Sequence, residues 1–281
     1  PPRSTLFPYT TLFRSIYQNI NLIEDSDFDI IAIFGADHIY RMDLQQMIDF
    51  HIRKRADVTI SGLPVPLKEA SSFGVIQVQE KQRVTGFKEK PKRPKPIPGR
   101  SDEAFASMGN YLFNKDVLIE LLYEDAADVE SSHDFGKDIL PRIFNKSRVF
   151  AYDFRRNHIP GLTKKEIGYW RDVGTIKAFW EANMDLRSVK PEFNLYNKKW
   201  PVRTASYGTP PAKFVFNEDG RRGQAIDSII AEGSIISGGI VQDSVIGREV
   251  SIDSGAAVIN SLLMDRVKIG KNCKINMAII D

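Results

Sequence analysis

The chain has a single cysteine, Cys273, among 281 residues, which excludes an internal disulfide and a cysteine metal cluster. That scarcity makes the cytoplasm the default compartment. No apolar run reaches membrane-span length, and no secretory signal is visible. A charge excess is missing too: 39 Lys and Arg stand against 36 Asp and Glu, for a net charge of +3. The basic residues are scattered, and prolines interrupt the densest run, Lys88 to Lys95, so nothing argues for nucleic acid. There is no Walker A loop, no His-Glu-x-x-His and no Gly-x-Ser-x-Gly. His38, His51, His133 and His158 lack metal-ligand spacing and read as surface or helix residues. No serine–histidine pair calls for a covalent nucleophile. What remains is ordinary globular composition, 42% hydrophobic and 27% charged, with length for one large or two medium domains.

Pro1–Ser15 is unlike the rest. Thr5 to Ser15 resembles the in-frame translation of a sequencing-library adapter, and Pro1 to Ser4 are set aside with it as foreign. A natural N-terminal strand is the other reading. Without Arg3 and Arg14 the net charge falls to +1. From Ile16 strands and helices alternate. Tyr17–Glu24 ends a helix, and Asp29–Phe34 is an apolar strand of the kind covered on both faces. Asp43 caps a helix through Arg55. Asp57–Val65 is a strand closed by Pro64 and Pro66. Phe73–Gln79 and Arg83–Lys88 are strands with a charged turn between them, and Pro91–Arg100 is a loop. Ala104–Phe113 is a strand followed by a helix capped by Asn114. Phe135–Phe144 is a short helix, Val149–Phe154 a strand and Thr175–Val189 a helix. The alternation predicts an α/β domain over 16–190 with a mainly parallel, doubly wound sheet and some hairpin character in the middle. Prolines break up 191–225, which reads as a linker. Over 226–281, Ser228-Ile229-Ile230, Ser244-Val245-Ile246 and Ser261-Leu262-Leu263 recur. A six-residue period, Ile246, Ile252, Val258 and then Leu263, Ile269, Ile275, predicts a parallel β-helix. A β-sandwich fits the double period less well. The repeat is still running at Asp281, which reads as a partial domain.

Candidate chemistry lies in short patches at strand ends and helix starts. Asp37 follows the strand Asp29–Phe34 and the turn at Gly35, where open α/β sheets bind ligands. It is either a metal or substrate carboxylate or a turn residue. Glu89 and Lys90 are held extended before Pro91, either to meet sugar hydroxyls and phosphate or as an exposed charged loop. Gly109, within Ser107-Met108-Gly109-Asn110-Tyr111, marks close ligand approach or a bulge. His133 to Asp138 and Tyr169 to Thr175 each open a helix, and Asp172 is a ligand or a cap.

Taken in order, the patches Phe34–Tyr40, Ser72–Val75, Phe87–Pro91, Ser107–Tyr111, Ser132–Asp138 and Tyr169–Thr175 resemble the bacterial ADP-glucose pyrophosphorylases, glucose-1-phosphate adenylyltransferases. The resemblance runs from Ile16 to Asp281. It implies a nucleotidyltransferase sheet followed by a left-handed parallel β-helix. It also implies a reaction of ATP with glucose 1-phosphate giving ADP-glucose and pyrophosphate, for glycogen or starch synthesis. By resemblance Asp37 and Asp172 hold Mg²⁺. Lys90 binds the phosphate, and Asp37, Lys90 and Asp172 form the catalytic set. Gly74, Glu89 and Ser107 hold the sugar, while Tyr111, Asp134, Phe135 and Trp170 line its pocket. A cytoplasmic homotetramer is the family's form. The family's glycine-rich nucleotide loop, expected ahead of these patches, is absent. So is the adenine-binding segment. Tyr9 lies near a tyrosine of the family's sugar-phosphate site but belongs to the adapter-like run, so the role is not carried over. The 281 residues alone are therefore expected to be inactive. Rival readings are a sugar nucleotidyltransferase using GTP, UTP or dTTP, a non-catalytic regulatory subunit, and a β-helix acyltransferase. The last lacks a histidine on its coils.

Overall fold

The computed structural model describes residues 11–281, the side chains of Thr11, Leu12 and Lys137 excepted. Residues 1–10 of the segment set aside as foreign lie outside the described residues. Thr11 to Ser15 do not stand apart from the fold. They open a helix whose Phe13 is buried and stacks on Tyr17 and on His133, with centroids 5.6 and 4.8 Å apart.

The elements run α1 (Thr11–Tyr17), α2 (Ile20–Glu24), β1 (Ile30–Phe34), β2 (His38–Tyr40), α3 (Leu44–Arg53), β3 (Val58–Pro66) and α4 (Leu67–Ala70). Then come β4 (Gly74–Val78), β5 (Val84–Glu89), β6 (Glu103–Asn114), α5 (Lys115–Ala126), β7 (Val149–Asp153), β8 (Trp170–Asp172) and α6 (Ile176–Leu186). Asp43 does cap α3, accepting from the Gln45 amide at 3.0 Å. Asn114 stands at the N-cap of α5 but makes no capping bond; its amide is turned to His51 and Asp57 instead. Pro66 does close β3 as its last residue, paired with Glu103, whereas Pro64 lies inside the strand, paired with Phe105. The helix expected over Phe135–Phe144 is a π-helical turn, Phe135–Ile139, then a 3₁₀ turn, Leu140–Arg142, because Pro141 has no amide hydrogen to continue it.

By contacts the chain divides into two units. One holds the residues through Ala36 together with Arg41–Ile159; the other holds Asp37–Tyr40 and Pro160–Asp281. The first contains a six-stranded sheet of order β5-β4-β6-β3-β7, with β1 on β6. It is a mixed sheet, not the mainly parallel one expected. Within this sheet, among the described residues, only β3 and β7 pair in parallel, while β6 runs antiparallel to β1, β3 and β4. The connections decide this. Parallel neighbours need a crossover of about a dozen residues or more; the short turn from β4 to β5 gives an antiparallel return, and β6 comes back between β3 and β4 and runs against both. Alternation along β6 sends Tyr111 and Phe113 into the core with α5, and Leu112 into the core with Met47 and Phe50 of α3. One edge of β6 follows β3. The other pairs with β4 near Phe105 and with β1 beyond Asn110, and the left-handed Gly109 (φ 69°) lies between.

In the second unit β2 pairs with β8, and the hexapeptide region forms three four-stranded parallel sheets. One face stacks Gln224–Ile226, Ile240–Gln242, Ala257–Ile259 and Lys274–Asn276. The next stacks Ile229–Ile230, Val245–Ile246, Leu262–Leu263 and Ile279–Ile280. The third stacks Lys213–Val215, Ile235–Ser237, Ser251–Ile252 and Lys268–Ile269. The parallel solenoid is thus present and starts inside the stretch expected to be linker. Ile246, Ile252, Val258, Leu263 and Ile269 fill its interior, as their period predicts. The recurring serines form a ladder. The Ser244 amide donates to Ser228 Oγ, the Ser261 amide to Ser244 Oγ and the Ala278 amide to Ser261 Oγ, each at 3.1 Å. The helix α6 belongs to this unit, through Trp180 donating to the Asn260 carbonyl at 3.1 Å and an Arg187–Asp243 pair at 2.9 Å.

Candidate active site

Two clusters hold the residues singled out by sequence. In the second unit, β2 and β8 pair so that His38 faces Asp172 and Tyr40 faces Trp170. The Val173 amide donates to the Asp37 carbonyl at 2.9 Å, which sets both aspartates at the same end of the ladder. Donor atoms of Asp37, His38 and Asp172 all lie within 4.8 Å of one another. The Gly174 amide orients Asp172 by donating to Oδ1 at 2.7 Å. A Cβ on Gly174 would sit 3.0 Å from Asp172 Oδ1 and 3.3 Å from Asp37 Oδ2, so glycine leaves both carboxylates their room. His38 Nε2 lies 3.5 Å from Asp37 Oδ1, and the ring lies against Trp170 at 4.9 Å. Two exposed carboxylates beside a residue without a side chain suit a hard cation. Mg²⁺ takes oxygen donors, binding through one or two carboxylates plus substrate phosphates, whereas the imidazole is the wrong donor and better suits holding Asp37. His38, read from spacing as a surface or helix residue, lies in β2 beside the two carboxylates. Its place comes from the β2–β8 pairing, which spacing along the chain does not reveal.

In the first unit the focus is Tyr111. It is buried, hydrogen-bonded to Ser107 and stacked on Phe135 at 5.6 Å and 19°. Burial first, then the charges of Asp134 and Glu89, push its phenol up to about 12, against the opposing Ser107 bond. The hydroxyl therefore stays protonated, able to donate, with two carboxylates near it. Gly74 opens β4 opposite Glu89 at the end of β5. The ring of Phe87 is the reason for two glycines here. A Cβ on Gly74 would lie 2.4 Å from it and one on Gly136 2.6 Å from it. Lys90 is not extended as expected before Pro91: it turns into the left-handed region at φ 40°, and its amide donates to the Phe73 carbonyl at 3.1 Å. Its exposed ammonium stands 3.8 Å from the Glu89 carboxylate. Asp134 is placed by its own amide, which donates to Asp138 Oδ2 at 3.1 Å. The structure thus gathers Gly74, Glu89, Lys90, Ser107, Tyr111, Asp134 and Phe135 in one unit, and Asp37, Trp170 and Asp172 in the other. Sequence reasoning missed Phe87 and Gly174, although both sit inside the quoted motifs.

A mixed α/β sheet, a carboxylate pair suited to a cation beside phosphates and a hexapeptide solenoid together define an enzyme of the nucleotidyl-transferring class. The nucleotidyl transferase profile matches residues 10–189, and that of the GlmU-like, C-terminal hexapeptide matches residues 210–281. The chain belongs to the nucleotidyl transferase family. It is 50% identical over 270 residues to a glucose-1-phosphate adenylyltransferase of Anaeromyxobacter sp. (strain Fw109-5), covering 95% of this chain and 66% of that protein. Proteins of the same name from Thermus thermophilus and Geobacter metallireducens are each 51% identical. They cover 87% and 95% of this chain, and 59% and 65% of their own lengths are matched. The chain therefore spans a little under two thirds of the length of these curated relatives. Among the described residues no helix is long and apolar enough to cross a membrane.

Proposed function

We propose that the chain carries the sugar-phosphate and metal-binding residues of a glucose-1-phosphate adenylyltransferase, which joins ATP and glucose 1-phosphate into ADP-glucose and pyrophosphate. The observation that carries this reading is the grouping around Tyr111 of Ser107, bonded to its hydroxyl, Phe135, stacked on its ring, and the charges of Asp134 and Glu89, on a chain 50% identical to a protein of that name. A sugar has hydroxyls for carboxylates to accept and a phenol to donate to, and an apolar ring face for Phe135 to cover. Lys90 meets the sugar phosphate as a point charge. The phosphate oxygen of the sugar is itself the nucleophile toward the α-phosphorus of ATP. The protein's task is then to position two anions and neutralise their charge. Asp37 and Asp172 would hold Mg²⁺, which when bound supplies that neutralisation. Gly174 keeps their carboxylates oriented. A cytoplasmic homotetramer in glycogen or starch synthesis is the setting we infer from the family resemblance, and the lone Cys273 agrees with a reducing compartment.

Titrating the 281-residue chain separately with glucose 1-phosphate and ATP tests the reading. We expect saturable glucose 1-phosphate binding that weakens at least tenfold in Lys90→Ala, as befits a charged hydrogen bond of about 1.5–3 kcal/mol. We expect no ADP-glucose from the chain alone, since no glycine-rich nucleotide loop is among its residues. Tight ATP binding without sugar-phosphate binding would overturn the assignment. ADP-glucose formation would overturn the inactivity.

A further inference from the structure

A second set of cations in the first unit is not used by the proposed reaction. The last turn of α3, the turn between β4 and β5 and the 3₁₀ turn Phe154–Arg156 enclose a cavity of about 450 Å³. Arg53, Lys54 and Arg156 line it with Gln82, Asp49 and Asp153. Lys54 is held in place: its Nζ donates to the Lys81 carbonyl at 2.9 Å and lies over the rings of Phe50 and Phe150 at 5.6 and 5.4 Å. Arg53 lies over the Phe50 ring at 6.0 Å. Neither makes an ion pair with a carboxylate among the described residues. The two acids on the lining do not balance the charge. Asp153 is 3% exposed and already pairs with Arg100 at 2.9 Å, so Arg156 reaches it only at 3.8 Å. Asp49, held by the Gln45 amide group at 2.8 Å, keeps its charge and offsets one of the three cations on the lining. The surroundings of Lys54 are accordingly positive. Burial, and then Arg53, Lys81 and Arg156, all hold its ammonium below the ordinary value of 10.5. The C-terminal end of a helix attracts cations, which accounts for Arg53 and Lys54 being on α3. It does not account for Lys81 and Arg156, which arrive from two other turns.

Like charges assembled from three elements around one cavity are a standing cost that an anion removes. We propose that this cavity binds a phosphate dianion, free or as a small monoester, gripped by Arg53 and Lys54 with Arg156 at the rim and the Gln82 amide as a neutral donor. The site is separate from the Lys90 sugar-phosphate assignment, and the test keeps the two apart. Inorganic phosphate and methyl phosphate are titrated into the ¹⁵N-labelled chain, with sodium chloride at matched ionic strength as the control. Saturable amide shifts are expected at Arg53, Lys54, Gln82 and Arg156. They should persist in Lys90→Ala and weaken at least tenfold in Arg53→Gln/Lys54→Gln, which removes both charges and keeps the first two methylenes of each side chain. The tighter of the two ligands identifies the source. Should the double variant fail to fold, Arg156→Gln serves instead, since that side chain is 74% exposed; several-fold weaker binding is expected. Drift that chloride reproduces, saturation by neither ligand, or unchanged affinity in these variants would overturn the proposal. Shifts confined to Glu89 and Lys90 would do the same while leaving the proposed reaction standing.

Discussion

His51 is 2% exposed, placed on the inner side of α3 between two polar partners. Asn114 Oδ1 accepts from its Nε2–H at 3.0 Å, and its Nδ1 lies 2.8 Å from the Thr59 hydroxyl, which donates to it when the ring is neutral. Burial holds its pKa below the ordinary 6.5, with the Asn114 bond and the Asp57 charge opposing. Above 6.5 the ring is neutral in both states and its contribution is complete. As pH falls below 6.5 the unfolded chain takes up a proton that the folded chain refuses, so stability is lost until the folded pKa is reached. Urea unfolding between pH 7 and pH 5 should show this loss, with a slope of at most about 1.4 kcal/mol per pH unit for one proton. His51→Gln should flatten it; an unchanged slope would locate the titration elsewhere. The sequence reading made His51 a plain helix residue because a polar type on a helix says nothing of what closes over it. Asp37 shows the same limit: its strand and turn are legible in Ile30 to Gly35, whereas its grouping with Asp172 and His38 depends on strand pairing.

At the scale of elements, α5 and the turn after it work as a clamp on the residues that face Tyr111. Asp125, with no exposed surface, accepts from Ser131 Oγ at 2.7 Å, His133 Nδ1 at 2.6 Å and Arg142 Nη2 at 3.1 Å. Arg142 also pairs with Asp128 at 2.7 Å and donates to the Asp138 carbonyl at 2.9 Å. Asp138 in turn binds the amides of Ser132 and Asp134. The segment carrying Asp134 and Phe135 is thereby tied at both ends. Removing one member of a buried charged network costs about 3–5 kcal/mol, so Asp125→Asn should lower the unfolding midpoint in urea. It should also speed hydrogen exchange at Ser132 and Asp134 beyond that at β3. Equal acceleration everywhere would mean the network stabilises the fold without clamping the segment. The helix α5 was legible here because apolar runs and turn residues are local signals, whereas the π and 3₁₀ turns over 135–142 read as a plain helix. Sheet direction was not legible, because it depends on how short connections return the chain.

At the scale of the whole chain, the solenoid interior draws, among the described residues, on those between Ala225 and Ile280, and each coil rests on its neighbours. Ser244 joins three of them, donating to the Gln242 carbonyl at 2.7 Å, accepting from the Ser261 amide and receiving Ser228 against its own amide. Ser244→Ala leaves a buried amide without its acceptor, at a cost of about 1–3 kcal/mol. Native-state hydrogen exchange should quicken at Ser261 and in the adjoining coils and stay unchanged in β3 and β6. A uniform change would show that the chain opens as one cooperative body. The hexapeptide period made this domain the most legible part of the sequence, since one inward aliphatic per face leaves a mark that ordinary folds lack.

The step between coils is 16 residues from Gln224 to Ile240 and from Ile235 to Ser251, then 17 from Ile240 to Ala257. The added residue enters at one corner only, where Asp253-Ser254-Gly255-Ala256 replaces the tighter Ser237-Gly238-Gly239. All three ladders keep their partners across that change, and Ser254 Oγ even donates back to the Ser237 carbonyl at 2.9 Å. The corner thus acts as an expansion joint. Sequence length can drift there over evolutionary time, or be added by an engineer grafting a peptide, while the stacked faces on either side stay in step.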